Sequence, residues 1–163
     1  LYRLNREQTL PMLPVPLESI WREAAGALAN PPRVKWADPM GGRVLGDEAL
    51  LTNLMQNLVQ NALRSLPAQG GWVAVTAEAE KNGVKITVTD NGCGMTAEQL
   101  QRVTEPFYMV DKSRARSMNG SGIGLALCAR IAELHGSTLH FESEPGVGTR
   151  CSFCLPQPPN KEQ

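Results

Sequence analysis

Apolar residues at Leu17, Ile20, Trp21, Ala24 and Leu28 recur at close to helical spacing, which predicts a helix over residues 17–28. Asn30-Pro-Pro32 ends it. A second, longer pattern runs through Leu50, Leu51, Leu54, Leu58, Ala62 and Leu66. Asp47 can cap its start, and residues 67–71, beginning with proline and ending in glycine, stop it. A third apolar helix spans 123–134 and closes on His135-Gly136. Between and after these lie strand-like runs at 33–37, 43–45, 72–79, 84–89, 138–142 and 149–155. The third and fourth runs meet at Asn82-Gly83, a hairpin signal. Residues 91–121 hold few periodic apolar positions. Thr96 starts a short helix there, and the remainder reads as a long loop, which in a compact domain is a functional or a disordered segment.

Three long helices and one sheet make an α+β pattern, with helices over one sheet face burying a single core. The chain has 163 residues, enough for one domain that folds without disulfides or metal. Lys plus Arg number 16 and so do Asp plus Glu, giving a formal net charge of zero. No basic field exists to attract nucleic acid or an acidic membrane. No apolar run approaches the roughly 20 residues that a membrane helix needs. Of the four cysteines, Cys151 and Cys154 form a C-x-x-C inside a strand, where positions three apart face opposite ways. Cys128 sits in an apolar helix and Cys93 in a glycine-rich loop. All four read as reduced structural thiols, as in a cytosolic protein.

Four motifs remain. Asn53, Asn57 and Asn61 fall at i, i+4 and i+8, so their amides share one helical face; amide carbonyls are hard, neutral oxygen ligands suited to magnesium on nucleotide phosphates. Asp90-Asn-Gly92-Cys-Gly94 follows a strand directly. A carboxylate there can accept a hydrogen bond from an adenine amino group, and the glycines let backbone come close. Gly120-Ser-Gly122-Ile-Gly124-Leu125 leads into the last helix, whose N-terminal N–H groups favour phosphate oxygens. Gly146-Val-Gly148-Thr149 precedes the last strand. Each has a bland counterpart: a solvated face, a tight turn, a loop, a hairpin.

In order and spacing the four resemble the N, G1, G2 and final glycine boxes of the histidine kinase catalytic domain. Glu105-Pro-Phe-Tyr108 resembles that family's F box. The resemblance covers residues 17–156 and implies the Bergerat fold, a two-layer α/β sandwich whose mixed sheet carries about three helices on one face. It makes residues 1–16 the end of a preceding helical domain plus a linker around Pro11, Pro14 and Pro16, and 157–163 a polar tail. It implies ATP and Mg2+ as cofactors. Asn61 then resembles the magnesium ligand, with Asn57 and Arg64 near the phosphates. Asp90 resembles the adenine reader supported by Thr149, with Gly92 and Gly94 flanking the base. Gly120, Ser121, Gly122, Ile123, Gly124 and Leu125 resemble the phosphate-facing box and the hinge of an ATP lid. Ser65 stands where many members carry an aromatic residue, and Met109 where many carry an arginine. The γ-phosphate cation then comes from Lys112, Arg114 or Arg116, with Lys112 favoured.

Members of the wider superfamily that hydrolyse ATP resemble one another in a glutamate one turn before the magnesium asparagine. Asn57 holds that position here and cannot act as a base for water. The resemblance therefore implies phosphoryl transfer to a histidine, with an ATP-hydrolysing clamp or a non-catalytic nucleotide-binding module as alternatives. The family's acceptor histidine lies on a separate helical dimerisation domain, while His135 and His140 read as structural. The implied partners are that domain and, indirectly, a response regulator. The implied setting is the cytoplasmic part of a membrane-anchored sensor.

Overall fold

The computed structural model describes residues 11–28, 33–39, 41–105 and 124–159. In chain order these form β1 (Leu13–Pro16), α1 (Leu17–Gly26), β2 (Val34–Trp36), β3 (Arg43–Gly46), α2 (Glu48–Arg64), β4 (Val73–Glu80), β5 (Gly83–Asp90), α3 (Ala97–Arg102), α4 (Gly124–Leu134), β6 (His140–Glu144) and β7 (Gly148–Pro156).

Five strands make one sheet in the order β2-β4-β5-β7-β6. β2 runs parallel to β4, and the other neighbours are antiparallel, so the sheet is mixed. Alternation along the strands sorts the side chains. Val73, Val75, Val84, Ile86, Val88, Cys151, Phe153 and Leu155 are buried, whereas Thr76, Glu78, Arg150 and Cys154 are exposed. The buried face meets Leu51, Leu54, Met55, Leu58 and Val59 of α2, Ile20 and Trp21 of α1, and Cys128 and Ile131 of α4 in one core. Trp21 also donates from Nε1 to the Ala37 carbonyl at 2.8 Å, fastening α1 beside β2.

α2 starts as its sequence predicts: the Asp47 side chain accepts the Leu50 N–H at 3.0 Å. α3 starts on a capping box, in which Thr96 Oγ1 accepts the Gln99 N–H and Gln99 Oε1 accepts the Thr96 N–H.

The expected linker differs. Residues Leu13–Pro16 form β1, paired antiparallel with β3 in a separate two-stranded sheet. Pro14 and Pro16 have no N–H to give, and being two apart they place their nitrogens on the same side, away from β3. Val15 between them is buried. The prolines thus leave the strand compatible with one partner only. No helix among the described residues is long and apolar enough to cross a membrane. Residues 1–10, expected to end a helical domain, lie outside the described residues.

Candidate nucleotide site

One face of α2 is apolar and buried; the opposite face carries the amides. Asn53 and Asn61 are exposed and Asn57 is half-buried. Asn57 donates from Nδ2 to the backbone carbonyl of Asn53 at 2.9 Å and to its Oδ1. That leaves Asn57 Oδ1 as an acceptor, and it lies 3.5 Å from where a Cβ on Gly124 would stand. The N-terminus of α4, the end of the predicted phosphate-facing box, is therefore brought against the asparagine face of α2. On the other side, Asn53, Gln56, Asn57 and Gln60 line an open cleft of about 340 Å³ with Ala27 and Leu28.

Asp90 ends β5 and is 7% exposed. Its Oδ1 accepts the Gly92 N–H at 2.8 Å and faces the Ser65 hydroxyl at 3.3 Å. Burial raises the Asp90 pKa above the ordinary carboxylate value; the bonds from the Gly92 N–H, the Ser65 hydroxyl and the Thr149 N–H work in the opposite direction. A buried, partly desolvated carboxyl at a strand end is a strong acceptor for a ligand N–H group.

The last glycine motif closes on the same loop. Asp90 pairs with Thr149 across β5 and β7. Gly148 has φ of 145°, and a Cβ there would run into the Asp90 carbonyl oxygen. Gly146 donates its N–H to the Cys93 carbonyl at 2.8 Å. A Cβ on Gly94 would run into the Glu144 carbonyl. Thr149 Oγ1 lies 2.7 Å from Ser143 Oγ, which also donates to the Gly148 carbonyl and accepts the Met95 N–H. The G1-like and final glycine motifs, over 50 residues apart in sequence, thus form one wall.

Asn57 lies in the middle of α2 and Asn61 and Arg64 in its last turn; Asp90 ends β5 with Gly92 and Gly94 in the loop after it, Thr149 lies at the start of β7, and Gly124 and Leu125 begin α4. Lys112, Gly120, Ser121, Gly122 and Ile123, with most of the expected lid, lie outside the described residues. Arg64 Nε is buried and has no hydrogen-bond partner among the described residues. Two polar groups make contacts that the sequence does not indicate. Ser65 touches Asp90, and Ser143 holds Thr149. Neither belongs to a glycine or asparagine motif; the family resemblance marks position 65 as one where an aromatic residue is usual, but gives no sign of its contact with Asp90.

The structural readings of the histidines and cysteines agree with the geometry. His135 is 3% exposed at the end of α4, and His140 is exposed on β6. Cys151 faces the core, while Cys154 is exposed and donates to Glu80 Oε1 at 3.0 Å. Burial pushes the Cys128 thiol up to about 12 and Cys151 upward as well, which keeps both protonated.

A family described as histidine kinase-, DNA gyrase B-, and HSP90-like ATPase matches residues 46–159. The sensor-like histidine kinase SenX3 of Mycolicibacterium smegmatis is 38% identical over 124 residues, 76% of this chain and 32% of that protein. The sensor histidine kinase WalK of Bacillus subtilis is 33% identical over 118 residues, 71% of this chain and 19% of that protein. The chain therefore spans about a third or less of these relatives. Among solved structures, the ATP binding domain of PrrB from Mycobacterium tuberculosis aligns with a TM-score of 0.69 at 28% identity, covering 91% of this chain and 99% of that one. Full-length ShkA in complex with AMPPNP aligns with a TM-score of 0.75 at 27% identity, covering 94% of this chain and 32% of that one. With its mixed sheet, its one-sided helical layer and a family match over most of its length, the chain belongs to the histidine kinase-, DNA gyrase B-, and HSP90-like ATPases.

Proposed function

We propose that the chain binds magnesium-ATP and passes the γ-phosphoryl group to a histidine on a separate helical dimerisation domain, as the catalytic domain of a two-component sensor kinase. The observation that carries this reading is Asn57: an amide, one helical turn before Asn61, with its carbonyl oxygen turned toward Gly124. A hydrolase needs a base for water at that point, and an amide has no useful basicity. Phosphoryl transfer to a docked side chain needs positioning and charge neutralisation instead.

The division of labour follows the geometry. Asp90 takes the adenine amino group, with Gly92, Gly94 and Thr149 shaping the wall beside it. The N-terminus of α4, from Gly124 and Leu125 onward, directs free N–H groups at the phosphates. The neutral carbonyl oxygens of Asn61 and Asn57 suit a magnesium ion held mainly by phosphates and water, and the ion would neutralise charge on the β- and γ-phosphates. Arg64 Nε, buried without a hydrogen-bond partner among the described residues, would gain one from a phosphate oxygen. Lys112 remains the favoured cation for the γ-phosphate. A response regulator would be an indirect partner, and a membrane anchor would belong to the remainder of such a sensor.

The test is a transfer assay. Incubated with magnesium-ATP, the chain alone should acquire no phosphohistidine and hydrolyse ATP slowly. Adding the helical domain with its acceptor histidine should place acid-labile phosphate on that domain. Stoichiometric phosphate on His135 or His140, or rapid hydrolysis without acceptor, would refute the reading.

A further inference from the structure

Ser65 sits at the C-cap of α2, one turn past Asn61. Its backbone and its side chain both reach the Asp90 loop. The carbonyl of Ser65 accepts the Cys93 N–H at 3.0 Å. The hydroxyl lies 2.7 Å from the Ala62 carbonyl and 3.3 Å from Asp90 Oδ1. The same Oδ1 takes the Gly92 N–H at 2.8 Å. A Cβ on Gly92 would overlap Ser65 Oγ, so residue 92 is held to glycine by Ser65 itself, apart from any ligand.

We propose that Ser65 is a positioning residue for the base-reading carboxylate: it pins Oδ1 of Asp90, so that the carboxyl meets the adenine edge in one orientation and stays in register with the helix that carries Asn57 and Asn61. The proposal rests on the reading of this site as an adenine-nucleotide site. It adds a specificity determinant to it.

The chemistry of a hydroxyl suits the task. Ser65 has one proton and two lone pairs. Against an ionised Asp90 it turns its proton to Oδ1. Against a protonated Asp90 it keeps its proton on the Ala62 carbonyl, at the shorter distance, and accepts the carboxyl proton. The buried carboxyl therefore has a partner in both states, and the partner is fastened to α2 and not to the loop. The groups that set the titration of Asp90 are burial, then the Gly92 N–H on its own loop, the Ser65 hydroxyl from α2 and the Thr149 N–H from β7. None of these is charged, so removing the hydroxyl takes away a principal support of the ionised form.

The experiment compares ADP with IDP, which carries a carbonyl where adenine has its amino group. Calorimetric titrations are run across pH on wild type, Ser65→Ala and Ser65→Cys. Cysteine fills the space beside Gly92 with a much weaker donor. Both variants should lose about tenfold in ADP affinity with little change for IDP. The pH midpoint for ADP binding should move up in both, because the carboxylate loses a donor. If Ala shows the loss and Cys does not, packing and not the hydroxyl is responsible, and the proposal is overturned. Variants matching a wild type that prefers ADP, in affinity and in midpoint, overturn it too. A wild type that does not prefer ADP over IDP would instead overturn the adenine reading of the site.

Discussion

His135, the buried residue that follows α4, accepts the backbone N–H of Asp47 through Nε2 at 3.1 Å, while its Nδ1 lies 2.8 Å from the Ile131 carbonyl. Because Nε2 accepts, Nδ1 carries the proton, and the ring is neutral. One imidazole thus ties the C-terminal end of α4 to the N-cap of α2, 88 residues away in sequence. These are the helices that bring Gly124 and Asn57 together.

Replacing His135 by Ala strands the Asp47 N–H in a half-buried position and opens a hole beside Gly46, where a Cβ would run into the ring. The loss should be about 2–4 kcal/mol, one unsatisfied donor plus a cavity. Urea denaturation checks it. An unchanged midpoint would show that the bond contributes nothing.

Gly148→Ala should be worse than its size suggests. Its φ of 145° is a conformation that side chains rarely adopt, and the new Cβ meets the Asp90 carbonyl. We expect a destabilisation of about 2 kcal/mol or more together with reduced ATP affinity, since relief of the clash must displace Asp90. Thermal melts and calorimetry on one sample measure both. Full affinity in a folded variant would separate Gly148 from the site.

Asp90→Asn should divide stability from binding. Burial holds the carboxyl pKa above its unfolded-state value. A raised carboxyl contributes stability that is complete below the unfolded value of about 3.9 and disappears as pH rises through the folded value. At neutral pH the ionised group is a cost to the nucleotide-free fold. The Asn variant should accordingly melt no lower than wild type at neutral pH, with any gain shrinking as pH falls through the raised pKa. Its affinity for adenine nucleotides should drop at least about tenfold. Undiminished adenine affinity would remove Asp90 from the base-reading role.

Asn61→Ala touches an exposed position of α2, where Ala is the better helix former. Stability should therefore hold within about 0.5 kcal/mol. Magnesium-ATP binding or phosphoryl transfer should be lost, and binding of ATP in chelator should not change. Equal behaviour with magnesium in both assays would withdraw the metal assignment.

Much of this protein is legible from local pattern. The spacing of leucines against asparagines places the amide face of α2, because helical periodicity reports which side is buried. The Thr96–Gln99 box starts α3 from residues three apart. The hairpin between β4 and β5 is signalled by Asn82-Gly83, although Gly83 itself begins β5. Its missing Cβ makes room for the Leu155 carbonyl of β7, a reason that no turn rule contains. The family's boxes likewise name Asp90, Gly148 and Thr149 from sequence alone.

Tertiary structure decided how those pieces are tied together. Leu13 pairs with Gly46 and turns a proline-rich stretch from linker into strand. Ser65 reaches Asp90, Ser143 reaches Thr149, and His135 reaches Asp47. In each case no periodicity or spacing in the side chain's own segment indicates the partner it reaches. Burial patterns are local because each residue's face depends on its neighbours along one helix or strand. A hydrogen bond between elements depends on where packing sets two backbones, and that is determined only when the whole core closes.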